Sequence, residues 1–282
     1  MKGVKAMVIK HWFATGDTHS RTQLRVENIL RNNRNLNPKE VGIIILGDAG
    51  INYYGNSSEW SRNKRLSELG CHIYCVRGNH EERPENLNFP KEYDNEVCGE
   101  VYVHPEFSNL RFLLDGGEYI INGFTVLTIG GAYSVDKWYR LHRAQIEGGH
   151  FSGWFKDELL TEEEMKTIEE KVRGKRYNFI FSHTCPQSWE PRDLFLDCID
   201  QSTVDKSMES WLDKLAEEVI WGIWCFGHYH ADRTERPYVE QFYTTYEKLD
   251  DIWWKWCRYV EDEPIFRLPR KRFEDEEENL YG

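Results

Sequence analysis

The 282-residue chain is short of positive charge: 36 Lys and Arg stand against 48 Asp and Glu, a formal net charge of −12. A broad surface for duplex nucleic acid depends on clustered Lys and Arg that displace counterions, so a duplex is not an expected partner. A small phosphorylated ligand, drawn in locally, is not excluded. Long apolar runs are also missing. None approaches the roughly twenty residues of a membrane-crossing helix, so no membrane is expected as a partner. The N-terminus carries Lys2 and Lys5 but no apolar stretch of the signal-peptide kind. The cysteines, Cys71, Cys75, Cys98, Cys185, Cys198, Cys225 and Cys257, are odd in number and scattered. No zinc-knuckle or Cys-x-x-Cys spacing occurs among them, and reduced thiols in a cytoplasm are the expectation. Nothing in the sequence sets an oligomeric state.

What is present is a set of short motifs, each just after an apolar run: Gly16-Asp17-Thr18-His19, Gly47-Asp48, Gly78-Asn79-His80-Glu81, His183 in Phe181-Ser182-His183-Thr184, and Gly227-His228-Tyr229-His230. They offer Asp17, His19, Asp48, Asn79, His183, His228 and His230, imidazole and oxygen ligands that need no thiolate. Such a set suits a pair of divalent first-row metals, and two metals a few ångströms apart are a device for splitting phosphate esters. Val41–Leu46, with Cys71–Val76, Tyr177–Phe181 and Ile220–Phe226, read as strands buried on both faces. In open sheets covered by helices, ligands gather at the carboxyl ends of strands. Residues spread over some two hundred positions can therefore converge. A lone His is usually an ordinary surface or core residue, and His11, His72, His104, His142 and His150 are read that way first.

The order Asp-x-His, Gly-Asp, Gly-Asn-His-Glu, His, Gly-His-x-His resembles that of the calcineurin-like metallophosphoesterases, over roughly residues 10–250. Gly130-Gly131-Ala132-Tyr133-Ser134, Ser182-His183-Thr184-Cys185-Pro186 and Phe226–His230 are similar to one bacterial and phage branch of them. The resemblance implies an α/β (α+β) fold, a four-layer αββα sandwich of two mixed sheets flanked by helices. It implies one metal held by Asp17, His19, Asp48 and His230, and another by Asp48, Asn79, His183 and His228, with Asp48 bridging. The metals would be two divalent ions, manganese first, with iron, zinc, nickel or cobalt as substitutes. His80 would face the phosphate as general acid or transition-state stabiliser. Arg77, Arg140 and His142 are candidate substrate contacts. The protein phosphatases of this superfamily carry Asp-Arg-Gly in the second motif, whereas here Asp48 is followed by Ala49-Gly50-Ile51. That departure speaks against a protein phosphatase. It also removes the usual carboxylate partner of His80, leaving Glu81 or a backbone carbonyl to orient it.

The expected function is hydrolysis of a small or nucleotide-derived phosphodiester or phosphomonoester. A water between two divalent cations loses a proton near neutral pH and attacks phosphorus in line. His80 can protonate the leaving oxygen, and Cys185 is read as structural. A nuclease of the same superfamily and a non-catalytic metal-binding module are the alternatives. The charge balance opposes the first and the intact ligand set the second.

Elsewhere, Ser20–Asn33 and Ser58–Leu69 read as helices, the second capped by Ser57 or Ser58. Val101–Val103, Arg111–Leu114, Glu118–Ile121 and Phe124–Ile129 read as strands, with Asn122-Gly123 as a hairpin turn. Thr161 with Glu164 forms a capping box, and Met208, Trp211, Leu212 and Leu215 mark an amphipathic helix. Residues 131–155 show no period and read as a functional loop whose Arg140 and Arg143 could meet a second phosphate or a base; a solvated loop with Trp138 packed is the alternative. Residues 1–250 are expected to form the catalytic domain and 251–282 a Trp-rich, charged extension. Its Trp253, Trp254 and Trp256 are expected to pack on the domain rather than bind a partner. Arg270-Lys271-Arg272 precedes an acidic run, expected to be solvated, and the last five residues resemble a protease-tag scar.

Overall fold

A computed structural model describes residues 9–148 and 151–258. Lys2, Lys5, His150, the cluster 270–272, the acidic run and the final five residues lie outside the described residues. The strands are β1 (His11–Thr15), β2 (Val41–Leu46), β3 (His72–Val76), β4 (Lys91–Asp94), β5 (Gly99–Val103), β6 (Leu110–Leu113), β7 (Gly117–Ile121), β8 (Phe124–Ile129), β9 (Arg176–Ser182), β10 (Ile220–Phe226), β11 (Arg233–Arg236), β12 (Val239–Gln241) and β13 (Tyr246–Lys248). The helices are α1 (Thr22–Asn32), α2 (Ser57–Ser67), α3 (Lys137–Glu147), α4 (Glu162–Val172), α5 (Ser207–Glu218) and α6 (Leu249–Cys257).

The strands form two mixed sheets, β13-β1-β2-β3-β6-β5-β4 and β11-β12-β10-β9-β8-β7. At the centre of the first, β1, β2, β3 and β6 run parallel. In the second, β8, β9, β10 and β12 do so. Every residue of β2 is buried, as expected of a β-branched strand covered on both faces.

Three apolar clusters define four layers. Trp12, Ile44 and Tyr74 of the first sheet meet Phe124, Phe179 and Ile223 of the second between the sheets. Val26, Ile29 and Leu66 of α1 and α2 cover the outer face of the first sheet. Met165, Ile168, Trp211 and Leu215 of α4 and α5 cover the outer face of the second. This is the expected αββα sandwich.

Local chemistry explains the element ends. Asn122 (φ 53°) and Gly123 (φ 77°) both lie in the left-handed region, the demand of a two-residue hairpin turn. Thr161 and Glu164 form the capping box of α4. The cap of α2 is Asn56, whose side chain accepts from the Glu59 N–H, not Ser57 or Ser58. Residues 131–155 are not a loop throughout, since α3 occupies Lys137–Glu147. None of its residues is buried, and its half-buried stripe, Lys137, Arg140, Leu141 and Ala144, is only half apolar. Trp138 is 66% exposed, not packed. The expected boundary at residue 250 falls inside α6. Leu249, Ile252, Trp253 and Trp256 of that helix join the inter-sheet core, so it belongs to the domain, while Trp254 is exposed.

Candidate metal centre

Five loops at the carboxyl ends of β1, β2, β3, β9 and β10 carry the motif residues to one place. His19, Asp48, His228 and His230 take φ values of 42°, 50°, 67° and 53°, a region that costs non-glycine residues energy and recurs at functional sites. Two glycines allow the approach. A Cβ on Gly47 would strike the ring of His183, and one on Gly78 would strike the Asp48 carboxylate.

The ligand atoms fall into two overlapping groups, Asp17 with His19 and His230, and Asp17 with Asp48 and His183, each with atoms within 4.8 Å of one another. Asp17 Oδ2 lies 3.3 Å from His230 Nε2 and 3.8 Å from His19 Nε2. Asp48 faces both sides, with Oδ2 3.7 Å from His19 Nδ1 and Oδ1 3.7 Å from His183 Nε2. Asn79 Oδ1 lies 2.8 Å from His183 Nε2. The His228 ring is 5.0 Å from that of His183, and its backbone N–H donates to Asp17 Oδ1 over 2.9 Å. The seven expected ligands therefore share one site, and Asp17 as well as Asp48 reaches both halves of it.

Cations fit this donor set. His183 Nδ1 is 2.9 Å from the Leu46 carbonyl oxygen, which can only accept. In the neutral imidazole the proton is thus on Nδ1, and Nε2 turns a lone pair toward Asn79 Oδ1, also an acceptor. His19 Nε2 and His230 Nε2 meet at 2.7 Å. With both rings neutral and their Nε2 atoms unprotonated, the two nitrogens are within reach of one shared cation.

The charges around the centre agree with that reading. Burial alone would push the Asp48 carboxyl up, but His183, His80 and His19 hold it well below the usual carboxylate range. Burial lowers His228 far below an ordinary imidazole, keeping its ring neutral and able to ligate. A hydrogen bond to Asp17 raises His230. Burial pushes the Cys185 thiol well up, which keeps it from acting as a thiolate nucleophile.

His80 donates its backbone N–H to Asp48 Oδ1 over 2.9 Å, and its Nε2 lies 4.0 Å from Asp48 Oδ2. Its Nδ1 is buried with no hydrogen-bond partner among the described residues. Glu81 does not orient it. That carboxylate accepts from the N–H groups of Ala49, Gly50 and Gly78 at 2.6, 3.2 and 2.9 Å, tying the second and third motifs together. Burial and the Asp48 charge push Glu81 up to about 7.

The three expected substrate contacts part company. Arg77 is turned away, its Nε 2.9 Å from Asp115 Oδ2 and its Nη1 donating to the Glu158 carbonyl over 2.8 Å. It ties the turn before β7 to the segment before α4 and does not line the cavity around the centre. His142 sits on the exposed face of α3 and does not line it either. Arg140 does. Its Nη2 lies 3.4 Å from His80 Nε2, while Asp136, Tyr53 and the Gly153 carbonyl hold the rest of the guanidinium at 2.6, 2.8 and 3.0 Å.

The cavity around the centre has a volume of about 780 Å³, and Tyr53, Ser134, Tyr229 and Glu209 also line it. Sequence reasoning missed these. Ser134 accepts from Asn79 Nδ2 over 2.8 Å, orienting that ligand. The position of Tyr53 five residues beyond Asp48 was its only sequence signal.

The family comparison agrees with the geometry. A family model described as calcineurin-like phosphoesterase matches residues 13–232. No curated protein matches the sequence. Among solved structures, TT1561 of Thermus thermophilus is 13% identical, the alignment covering 86% of this chain and 98% of that one, with a TM-score of 0.39. The phosphopantetheinyl hydrolase PptH from Mycobacterium tuberculosis is 12% identical, covering 94% and 100%, with a TM-score of 0.39.

Proposed function

The chain belongs to the calcineurin-like phosphoesterase family, and on that premise we propose that it is a two-metal hydrolase of small phosphate esters, nucleotide-derived ones among them. The observation that carries the reading is the convergence of Asp17, His19, Asp48, His183 and His230 around two overlapping groups of ligand atoms. Asp17, His19, Asp48 and His230 would hold one divalent ion, and Asp48, Asn79, His183 and His228 the other, with manganese the first choice. When bound, the pair supplies Lewis acidity and an acidified water as nucleophile.

The chain's own groups do the rest. Arg140, fixed by Asp136 and Tyr53, directs its free guanidinium edge beside His80, where it pairs with a phosphoryl oxygen as charge grows. His80 Nε2 delivers a proton to the leaving oxygen. Burial lowers the His80 imidazole, with the Asp48 charge opposing, so proton delivery is favoured on the acid side of neutrality.

Because no Arg follows Asp48, diesters are the favoured class over monoesters. Among the described residues, no helix is long and apolar enough to cross a membrane. Cys71, Cys75, Cys185 and Cys225 are buried free thiols, which supports a reducing, cytoplasmic setting. The test is a panel under manganese: bis-p-nitrophenyl phosphate, p-nitrophenyl phosphate, cyclic nucleotides and labelled DNA. Diester cleavage above monoester cleavage is expected. Fast cleavage of DNA with negligible action on the small esters would favour a nuclease.

A further inference from the structure

The metal centre occupies only part of its cavity. Leu194, Phe195, Leu196, Ile199 and Val204 line the same space as Asp48, Asn79 and His80. None of the five joins any of the three apolar clusters of the core. Leu194 is 37% and Leu196 59% exposed. Apolar side chains left facing water in a concave site gain free energy when a ligand covers them.

The segment that carries them is fastened rather than loose. Arg233 Nη1 and Nη2 each lie 2.9 Å from a carboxylate oxygen of Asp193. Lys206 Nζ lies 2.6 Å from Glu190 Oε1 and 4.8 Å from the Phe195 ring centre. Phe195 stacks on Tyr229 with ring centres 6.3 Å apart and planes 22° apart. Tyr229 in turn lies 4.8 Å from the His228 ring. The apolar wall thus begins two ring contacts from a ligand of the metal centre.

We propose that this wall is a subsite for an uncharged, apolar substituent of the phosphate ester, so that the substrate is an ester with one greasy arm rather than inorganic polyphosphate. The inference rests on the phosphoesterase reading of the same cavity. Concave walls continuous with the metal centre favour a small-molecule arm over a protein segment.

The test is calorimetric binding of non-hydrolysable methyl-, butyl- and hexylphosphonate to the manganese-loaded full chain and, in parallel, to the chain in EDTA. Affinity should rise along the series, by roughly two- to fourfold per methylene for buried apolar area. The rise should persist in EDTA, because protein side chains produce it. In the double variant Leu194→Ser, Leu196→Ser, with folding checked by its thermal melt, the slope should flatten by at least half. Equal affinity for methyl- and hexylphosphonate would overturn the subsite and leave the phosphate site standing. A persistent slope in a chain inert to every ester would remove the reaction and leave the subsite. A double variant that changes oligomeric state with an unaltered slope would assign the wall to a second copy, and binding by no member would overturn both readings.

Discussion

Asn79 Oδ1 and His183 Nε2 face one another at 2.8 Å, while His183 Nδ1 meets the Leu46 carbonyl and Asn79 Nδ2 donates to Ser134. Each side chain is oriented by a bond at its far end, so the ligand atoms are set before any ion arrives. Such outer bonds fix tautomer and direction in metal sites.

Metal should therefore stabilise the fold. A ligand that binds only the native state adds about 2.7 kcal/mol at a hundredfold excess over its Kd. Thermal melts in manganese should lie above those in EDTA, and Asp48→Asn, whose two oxygens face His19 and His183, should lose most of that gap. An unchanged gap in Asp48→Asn would remove Asp48 from the ligand set.

His80→Ala should keep its metal and lose turnover. General acid catalysis is worth about 10²–10⁴-fold. The loss should be largest for an alkoxide leaving group and smallest for p-nitrophenolate, which needs little protonation. Equal losses on both substrates would make His80 a phosphate-positioning group, and a lost ion would make it a ligand.

Arg140→Lys should fail to restore the activity that Arg140→Ala loses. The three anchors on Asp136, Tyr53 and Gly153 match a planar fork and not an ammonium. Steady-state kinetics on bis-p-nitrophenyl phosphate should show a roughly 10–100-fold fall in kcat/KM for both variants, of the size seen when one charge-stabilising donor is removed. A lysine variant at wild-type activity would show that only charge matters there.

Buried Glu209 gives the fold a pH dependence. Burial pushes its carboxyl up to about 7, against a hydrogen bond from Thr184. The folded state then holds a proton that the unfolded chain releases near the ordinary glutamate value, so stability is fullest below that value and falls as pH rises to about 7. Glu81 acts in the same window. Glu209→Gln should shrink the fall in denaturation midpoint between pH 5 and 7.5, and should be more stable than wild type at pH 8. An unchanged slope would place the Glu209 carboxyl at its ordinary value.

The convergence of the motif residues was legible in the sequence because each motif follows a strand that announces itself. Val41–Leu46 is an unbroken β-branched run, and the glycine after it can serve only a tight approach. Arg77 was misread as a substrate contact because adjacency to Asn79 fixes where the backbone goes, not which way the side chain turns; Asp115 decides that. Helix α3 was hidden because only Leu141 and Ala144 of its half-buried stripe, Lys137, Arg140, Leu141 and Ala144, are apolar. The wall at 194–204 was hidden because its apolar residues are irregularly spaced between short turns, and only the fold sets them beside His228.

Elemental analysis of the manganese-saturated, desalted protein tests the central claim most directly. The two overlapping ligand groups predict two ions per chain, both removed by chelation together with all hydrolysis of bis-p-nitrophenyl phosphate. One ion per chain at saturation, or hydrolysis that survives complete removal of metal, would contradict it.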